Sequence, residues 1–180
     1  MRATGIVRRI DDLGRVVIPK EIRRTMRIRE GEPLEIFTDK DGEVIFKKYS
    51  PLGEISSFSA KYAEALNKAA GIPVAICDRD SVVAVAGVSS SNKEYLEKPI
   101  SISVSSVLEK RQPFTATEAG SGIELTDAGL GRVSYLAPII SDGDIIGGVM
   151  LLAREGYTPD ESEQKMINTG ALFLSKQLEM

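Results

Sequence analysis

Arg8, Arg9, Arg15, Arg23 and Arg24 lie within the stretch "RRIDDLGRVVIPKEIRR". Arginine carries a planar guanidinium fork that binds a phosphate, or the edge of a guanine, with two hydrogen bonds at once. Residues 1–29 hold nine basic and three acidic side chains, whereas residues 51–180 hold 11 basic and 17 acidic ones. A positive end on an otherwise acidic chain is the pattern of a module that meets a polyanion while the rest does not. The same charges also describe a solvated face that keeps the protein in solution, and charge alone leaves both readings open.

Other chemistries find less support. The glycine-rich loop "ATEAGSGIELTDAGLG" (116–131) has no GK[ST] after it and opens no helix after a strand. It also carries Glu118, Glu124 and Asp127, which would repel phosphate. A mobile loop beside a pocket is the better expectation. Cys77 is the one cysteine, and the chain has no histidine to act as its base. It reads as a buried structural thiol in a reducing compartment. No two carboxylates share a spacing that suits an acid and base pair, and no His or Cys cluster suggests a metal. The sequence therefore predicts no catalytic residue, no metal and no cofactor.

The elements that must carry the arginines read as follows. "TGIVRRI" (4–10) and "RVVI" (15–18) have strand composition, joined by the turn "DDLG". Pro19 suits the first position of a helix over 19–26, with Ile22 and Met26 on its apolar side and Arg23, Arg24 and Arg27 pointing elsewhere. "LEIF" and "EVIFKKY" form a hairpin around "DKDG". A unit of about 50 residues with four short strands has too little interior to be stable alone, so dimerisation is expected.

Residues 1–50 form this first domain, 51–55 a junction, and 56–180 a second domain. The second opens with a helix near 54–70 (Ile55, Phe58, Tyr62, Ala65, Ala69). It closes with one near 159–178 (Ile167, Ala171, Leu174, Leu178), where Thr158 is expected to cap and Glu161 to complete a capping box. These apolar seams suit either their own sheet or a helical bundle between subunits. Strands are expected at "PVAICD", "SVVAVAG", "FTAT", "RVSYLAPII" and "IIGGVMLLA", with hairpins at "DRD" and "SDGD" and a short helix at 103–111. The sheet is mainly antiparallel and the domain α+β. The longest apolar run, 145–153, is far short of the roughly 20 residues that span a bilayer, so no membrane association and a cytoplasmic location are expected.

"TGIVRRIDDLGRVVIPKEIRRTMRIREGEPLEIF" closely resembles the AbrB-type swapped-hairpin DNA-binding domain of bacterial transition-state regulators. The full length, with an acidic α+β domain after "KKYSP", is similar to sporulation regulators of spore-forming Firmicutes that add a GAF-like domain. The resemblance implies a dimeric N-terminal β domain of interlocked hairpins, with a short helix per chain, that binds double-stranded DNA. It also implies assembly to a tetramer through helices of the GAF-like domains. The family's DNA-contacting arginines fall on Arg8, Arg9, Arg15, Arg23 and Arg24. The expected function is a regulator of sporulation genes, activating or repressing, whose GAF-like domain senses an unidentified small molecule near the 116–131 loop. An antitoxin-type autorepressor and a GAF-type enzyme are the alternatives.

Overall fold

The computed structural model describes residues 4–179. It divides at Tyr49 and Ser50 into two compact units.

In the first unit, residues 4–10 and 15–18 pair with no strand among the described residues. Between them Asp11 donates its N–H to the Arg15 carbonyl (3.1 Å) and Gly14 donates to the Asp11 carbonyl (3.0 Å), so the turn forms while its arms stay single. An extended segment becomes a strand only when a second one satisfies its N–H and C=O groups, and the described residues of this chain supply none. Helix α1 spans Lys20–Thr25, with Pro19 as its N-cap, one residue ahead of its expected place. It ends at Met26 and at Arg27, whose φ is 53°. The hairpin of β1 (Leu34–Thr38) and β2 (Val44–Lys48) runs antiparallel from the Leu34–Lys48 pair to the Thr38–Val44 pair. The Lys48 ammonium donates to the Arg27 carbonyl at 2.6 Å, tying the end of α1 to the hairpin. No described residue of this unit is buried. Val7, Ile10, Leu13, Val17 and Ile36 are each more than 60% exposed.

The second unit builds its own interior. A short helix α2 (Pro51–Glu54) leads into α3 (Ser56–Ala70), and the sheet strands are β3 (Val74–Asp78), β4 (Val82–Ala86), β5 (Phe114–Thr115), β6 (Ile123–Glu124), β7 (Arg132–Ser141) and β8 (Asp144–Leu152). Helix α4 (Ile102–Glu109) crosses between β4 and β5, and α5 (Glu161–Leu178) closes the chain. Every pairing is antiparallel, in the order β4-β3-β8-β7-β5, with β6 also on β7.

Side chains alternate across a strand, and both faces of this sheet are covered. Val74, Ile76, Val149 and Leu151 face α3 and α5, packing with Ala63, Ile167, Ala171 and Leu174. Ala75, Cys77, Met150 and Leu152 face Val104 and Leu108 of α4, together with Tyr95 and Leu125. Coverage on both sides explains why β3 and β8 read as unbroken apolar runs. A bulge between Val133 and Tyr135 changes the register, so these two residues, which simple alternation would put on one face, belong to opposite layers.

Three expectations about the helices of the second unit also need correction. Helix α5 is capped by Asp160 and not Thr158: its carboxylate accepts from the Glu163 N–H (2.8 Å), and the Glu163 carboxylate accepts from the Asp160 N–H (3.2 Å). Both T-x-x-E and D-x-x-E fit the sequence here, and Arg154 selects the second by pairing with Glu163. Helix α3 is turned partly from its expected face: Ser59 and Ala63 are fully buried, Ile55, Phe58 and Tyr62 pack half-buried against the core, and Ala65 and Ala69 are exposed. The expected helix at 103–111 starts at Ile102 instead, where Ser101 accepts from the Val104 N–H at 3.1 Å.

Candidate nucleic-acid interface

Arg8 and Arg9 stand exposed on the first arm, and Arg15 on the second, on opposite sides of the Asp11–Gly14 turn. Their positions follow from that turn, where Gly14 takes the left-handed conformation (φ 75°) that L side chains resist. Arg23 and Arg24 come from the last turn of α1. Arg24 is exposed. Arg23 is half-buried, and its Nε is buried with no hydrogen-bond partner among the described residues. A donor in that state costs free energy until an acceptor reaches it.

Arg15 is the one member of the set held by an ion pair within its own turn. Its Nε donates to Asp11 Oδ2 at 2.8 Å, and its backbone N–H donates to Asp11 Oδ1 at 2.7 Å. The Arg15 amide and guanidinium, and more weakly the Leu13 amide, hold the Asp11 carboxyl below the usual carboxylate range. Asp11 was not among the residues the sequence singled out. The signal was present in the Asp-to-Arg spacing of four across a glycine.

In the second unit, the 116–131 loop is tied to its surroundings by hydrogen bonds. The Ser101 hydroxyl donates to the Glu124 carbonyl (2.6 Å), the Leu125 N–H donates to the Gly131 carbonyl (3.0 Å), and Gly120 N–H donates to the Tyr157 carbonyl (2.8 Å). A Cβ at Gly122 would lie 2.2 Å from the Val133 carbonyl oxygen, so the loop lies directly on β7. The Cys77 thiol is fully buried, and burial first, then the charge of Asp78, pushes its pKa up, away from the thiolate a nucleophile needs. Among the described residues, no group of three or more His, Cys, Asp or Glu side chains is placed to hold a metal, and no helix is long and apolar enough to cross a membrane.

Between α3 and α5, Phe58, Tyr62 and Phe173 form an aromatic cluster, with Phe58 and Tyr62 half-buried against the core. Ring centroids are 5.3 Å apart for Tyr62 and Phe173 and 5.9 Å apart for Phe58 and Phe173. Gly170 permits it, since a Cβ there would sit 3.1 Å from the Tyr62 ring. Phe173 is 39% exposed, and its neighbour Leu172 is 62% exposed. The inner face of α5 is already occupied by its own sheet.

Residues 54–179 match the family model described as Stage V sporulation protein T C-terminal, transcription factor. Residues 7–53 match the model described as antidote-toxin recognition MazE, bacterial antitoxin. Over 180 residues the chain is 51% identical to Stage V sporulation protein T of Bacillus subtilis (strain 168), with 99% of each chain covered. It is 51% identical over 69 residues to the transition state regulatory protein AbrB of the same organism, covering 35% of this chain and 71% of that one. The GAF domain of a phosphoenolpyruvate-protein phosphotransferase from Coxiella burnetii aligns at a TM-score of 0.52 and 18% identity, covering 69% of this chain and 82% of that domain. That likeness gives the second unit a GAF-like fold.

Proposed function

The chain belongs to the stage V sporulation protein T family of transcription factors, and on that premise we propose that it regulates sporulation genes by binding double-stranded DNA through its first unit. The observation that carries the reading is that this unit hangs arginines on a frame with no buried residue among those described, so that a second copy is needed to complete the fold. Exchange of the unpaired arms at 4–10 and 15–18 between two chains would supply the missing strand partners and cover Val7, Ile10 and Val17. It would also double the arginine set on one surface. Arg8, Arg9, Arg15, Arg23 and Arg24 are the DNA contacts in this reading.

The second unit has 17 acidic against 11 basic residues over 51–180 and stays off the DNA, since a negative field opposes close approach to a polyanion. Its role is regulatory and oligomeric. Two first-unit dimers join along α3 and α5, where Phe58, Tyr62, Leu172 and Phe173 offer an aromatic seam. A small effector acts by favouring one arrangement of the DNA-binding heads, and a coupling of about 1–3 kcal/mol would change DNA affinity roughly 5–150-fold. In this reading the protein works in the cytoplasm, where its DNA is, as a regulator and not as an enzyme, and the buried Cys77 has a structural role.

Binding should weaken steeply with salt, log K falling against log salt with a slope of about −4 to −5 for roughly five phosphate contacts. A double Arg23→Ala, Arg24→Ala variant that stays folded should lose affinity and flatten that slope. Parental affinity at every salt concentration would remove these arginines from the interface. The match of residues 7–53 to an antitoxin model favours a second reading, an autorepressor that also binds a toxin. The transcription-factor match over 54–179 argues for the first.

A further inference from the structure

The first unit contains the same turn twice. In one, Asp11 N–H donates to the Arg15 carbonyl and Gly14 N–H to the Asp11 carbonyl; in the other, Asp39 N–H donates to the Glu43 carbonyl and Gly42 N–H to the Asp39 carbonyl. Each aspartate uses Oδ1 to accept two amides, Leu13 and Arg15 at 3.0 and 2.7 Å in the first, Asp41 and Glu43 at 3.0 and 2.9 Å in the second. Each glycine has positive φ, 75° and 82°. The turn is therefore complete with one carboxylate oxygen, two backbone carbonyls and four backbone N–H donors.

The turns differ in the second oxygen. Asp11 Oδ2 takes the Arg15 Nε at 2.8 Å, whereas the equivalent of Arg15 in the other turn is Glu43. The Asp39 turn shows that this bond is not required for closure. As an ion pair with side chains 69% and 36% exposed, it adds little to stability. Its effect is geometric. Nε is the inner donor of the guanidinium, so holding it leaves the two outer nitrogens free to form a fork and fixes the plane in which they lie. A carboxylate at a surface meant for DNA also lowers the attraction to any phosphate.

We propose that Asp11 is a positioning residue for DNA recognition, which holds the Arg15 guanidinium in one orientation and exchanges general phosphate affinity for selectivity between sequences. The proposal rests on the reading that Arg15 meets DNA. Its test compares two probes, a duplex selected from a random library by the parent protein and a scrambled duplex of the same composition, with full-length protein. Asp11→Asn keeps an oxygen for the turn amides but loses the charge. It should bind the scrambled duplex more tightly and reduce the selected-to-scrambled affinity ratio by about tenfold, the scale of one well-made base contact. Asp39→Asn, with the same turn and no arginine, should leave the ratio unchanged. Adding Asp11→Asn to Arg15→Ala should change the ratio no further, because the carboxylate acts through that arginine.

If Asp11→Asn raises both affinities equally, Asp11 is only a charge and the proposal is overturned while the interface stands. If it lowers the ratio equally in the parent and in Arg15→Ala, its role is in the turn and the proposal is again overturned. If Arg15→Ala alone changes neither affinity nor ratio, the interface assignment itself fails at this residue. Should Asp11→Asn misfold, Asp11→Glu serves instead. Its longer carboxylate keeps the charge but displaces the guanidinium, so it should lower the ratio without raising scrambled binding, and an unchanged ratio would overturn the proposal.

Discussion

The β1–β2 and β7–β8 hairpins are alike locally and opposite globally. Both are antiparallel ladders reversed by an Asp-Gly pair whose glycine, Gly42 or Gly143, has φ of 82°. Both strands of each hairpin are rich in β-branched and aromatic or long apolar residues. Yet β8 is buried from Gly147 through Leu152, while β1 and β2 contain no buried residue. Turn chemistry specifies that a chain reverses; it does not specify what covers the result. The second unit covers its hairpin with α3, α4 and α5 from the same chain. The first unit leaves its apolar positions for something outside it.

The largest effect that would sharpen the contrast is in how the two units depend on concentration. Residues 1–53 alone should be folded only as a dimer and should unfold on dilution, whereas residues 50–180 should keep their fold. Sedimentation and circular dichroism across a dilution series decide it, and a folded monomer of 1–53 would break the comparison. Val17→Asp, at a residue 71% exposed in the single chain, should abolish that dimer. A surface site would tolerate the change within about 0.5 kcal/mol.

A smaller effect is expected in the second unit. Leu151→Ala removes a fully buried side chain beside α5 and should cost about 2–5 kcal/mol, independent of protein concentration. Chemical denaturation would measure it. A loss below about 1 kcal/mol would mean that this core is less well packed than its burial indicates.

The smallest concerns Cys77. Its folded pKa is raised above the unfolded value, so its contribution is fully present below about pH 8.5. It is lost as pH rises further, because the unfolded thiol then ionises and the buried one does not. Stability of the second unit should fall by up to about 1.4 kcal/mol per pH unit there, and Cys77→Ala should remove that slope. The first unit, with no cysteine, supplies the control in the same titration.

What the sequence disclosed follows the same division. The β3–β4 and β7–β8 hairpins, the antiparallel sheet, and the two long helices and one short helix of the second unit were readable, because turn residues and apolar runs are local signals. The face of α3 was not. Phe58 and Tyr62 look like the centre of the core face on a helical wheel, but they pack half-buried at its margin, and only the packed structure shows Ser59 and Ala63 fully buried. The α5 cap was ambiguous between two overlapping boxes until Arg154, brought alongside by the turn after β8, chose Glu163. In the candidate interface the arginines were visible by type and spacing, but not their unlike circumstances. Arg24 is free in solvent, Arg23 is half-buried and Arg15 is paired with Asp11, and each depends on a neighbour's placement more than on composition.

The pairing of β3 with β8 has a consequence for synthesis. β3 leaves the ribosome beside β4, but its other edge, matched to β8 from the Val74–Leu151 pair to the Asp78–Gly147 pair, waits for a strand translated long afterwards. At roughly 5–20 residues per second the interval is about 4–15 s. Throughout it, an apolar β-prone edge of Val74, Ala75 and Ile76 is open to other nascent chains on the same message. The β1–β2 hairpin, whose strands emerge almost together, never passes through such a window. Growth temperature and chaperone supply should therefore govern the yield of this protein through its best-packed unit, since β3, an interior strand of its sheet, waits longest for its second neighbour.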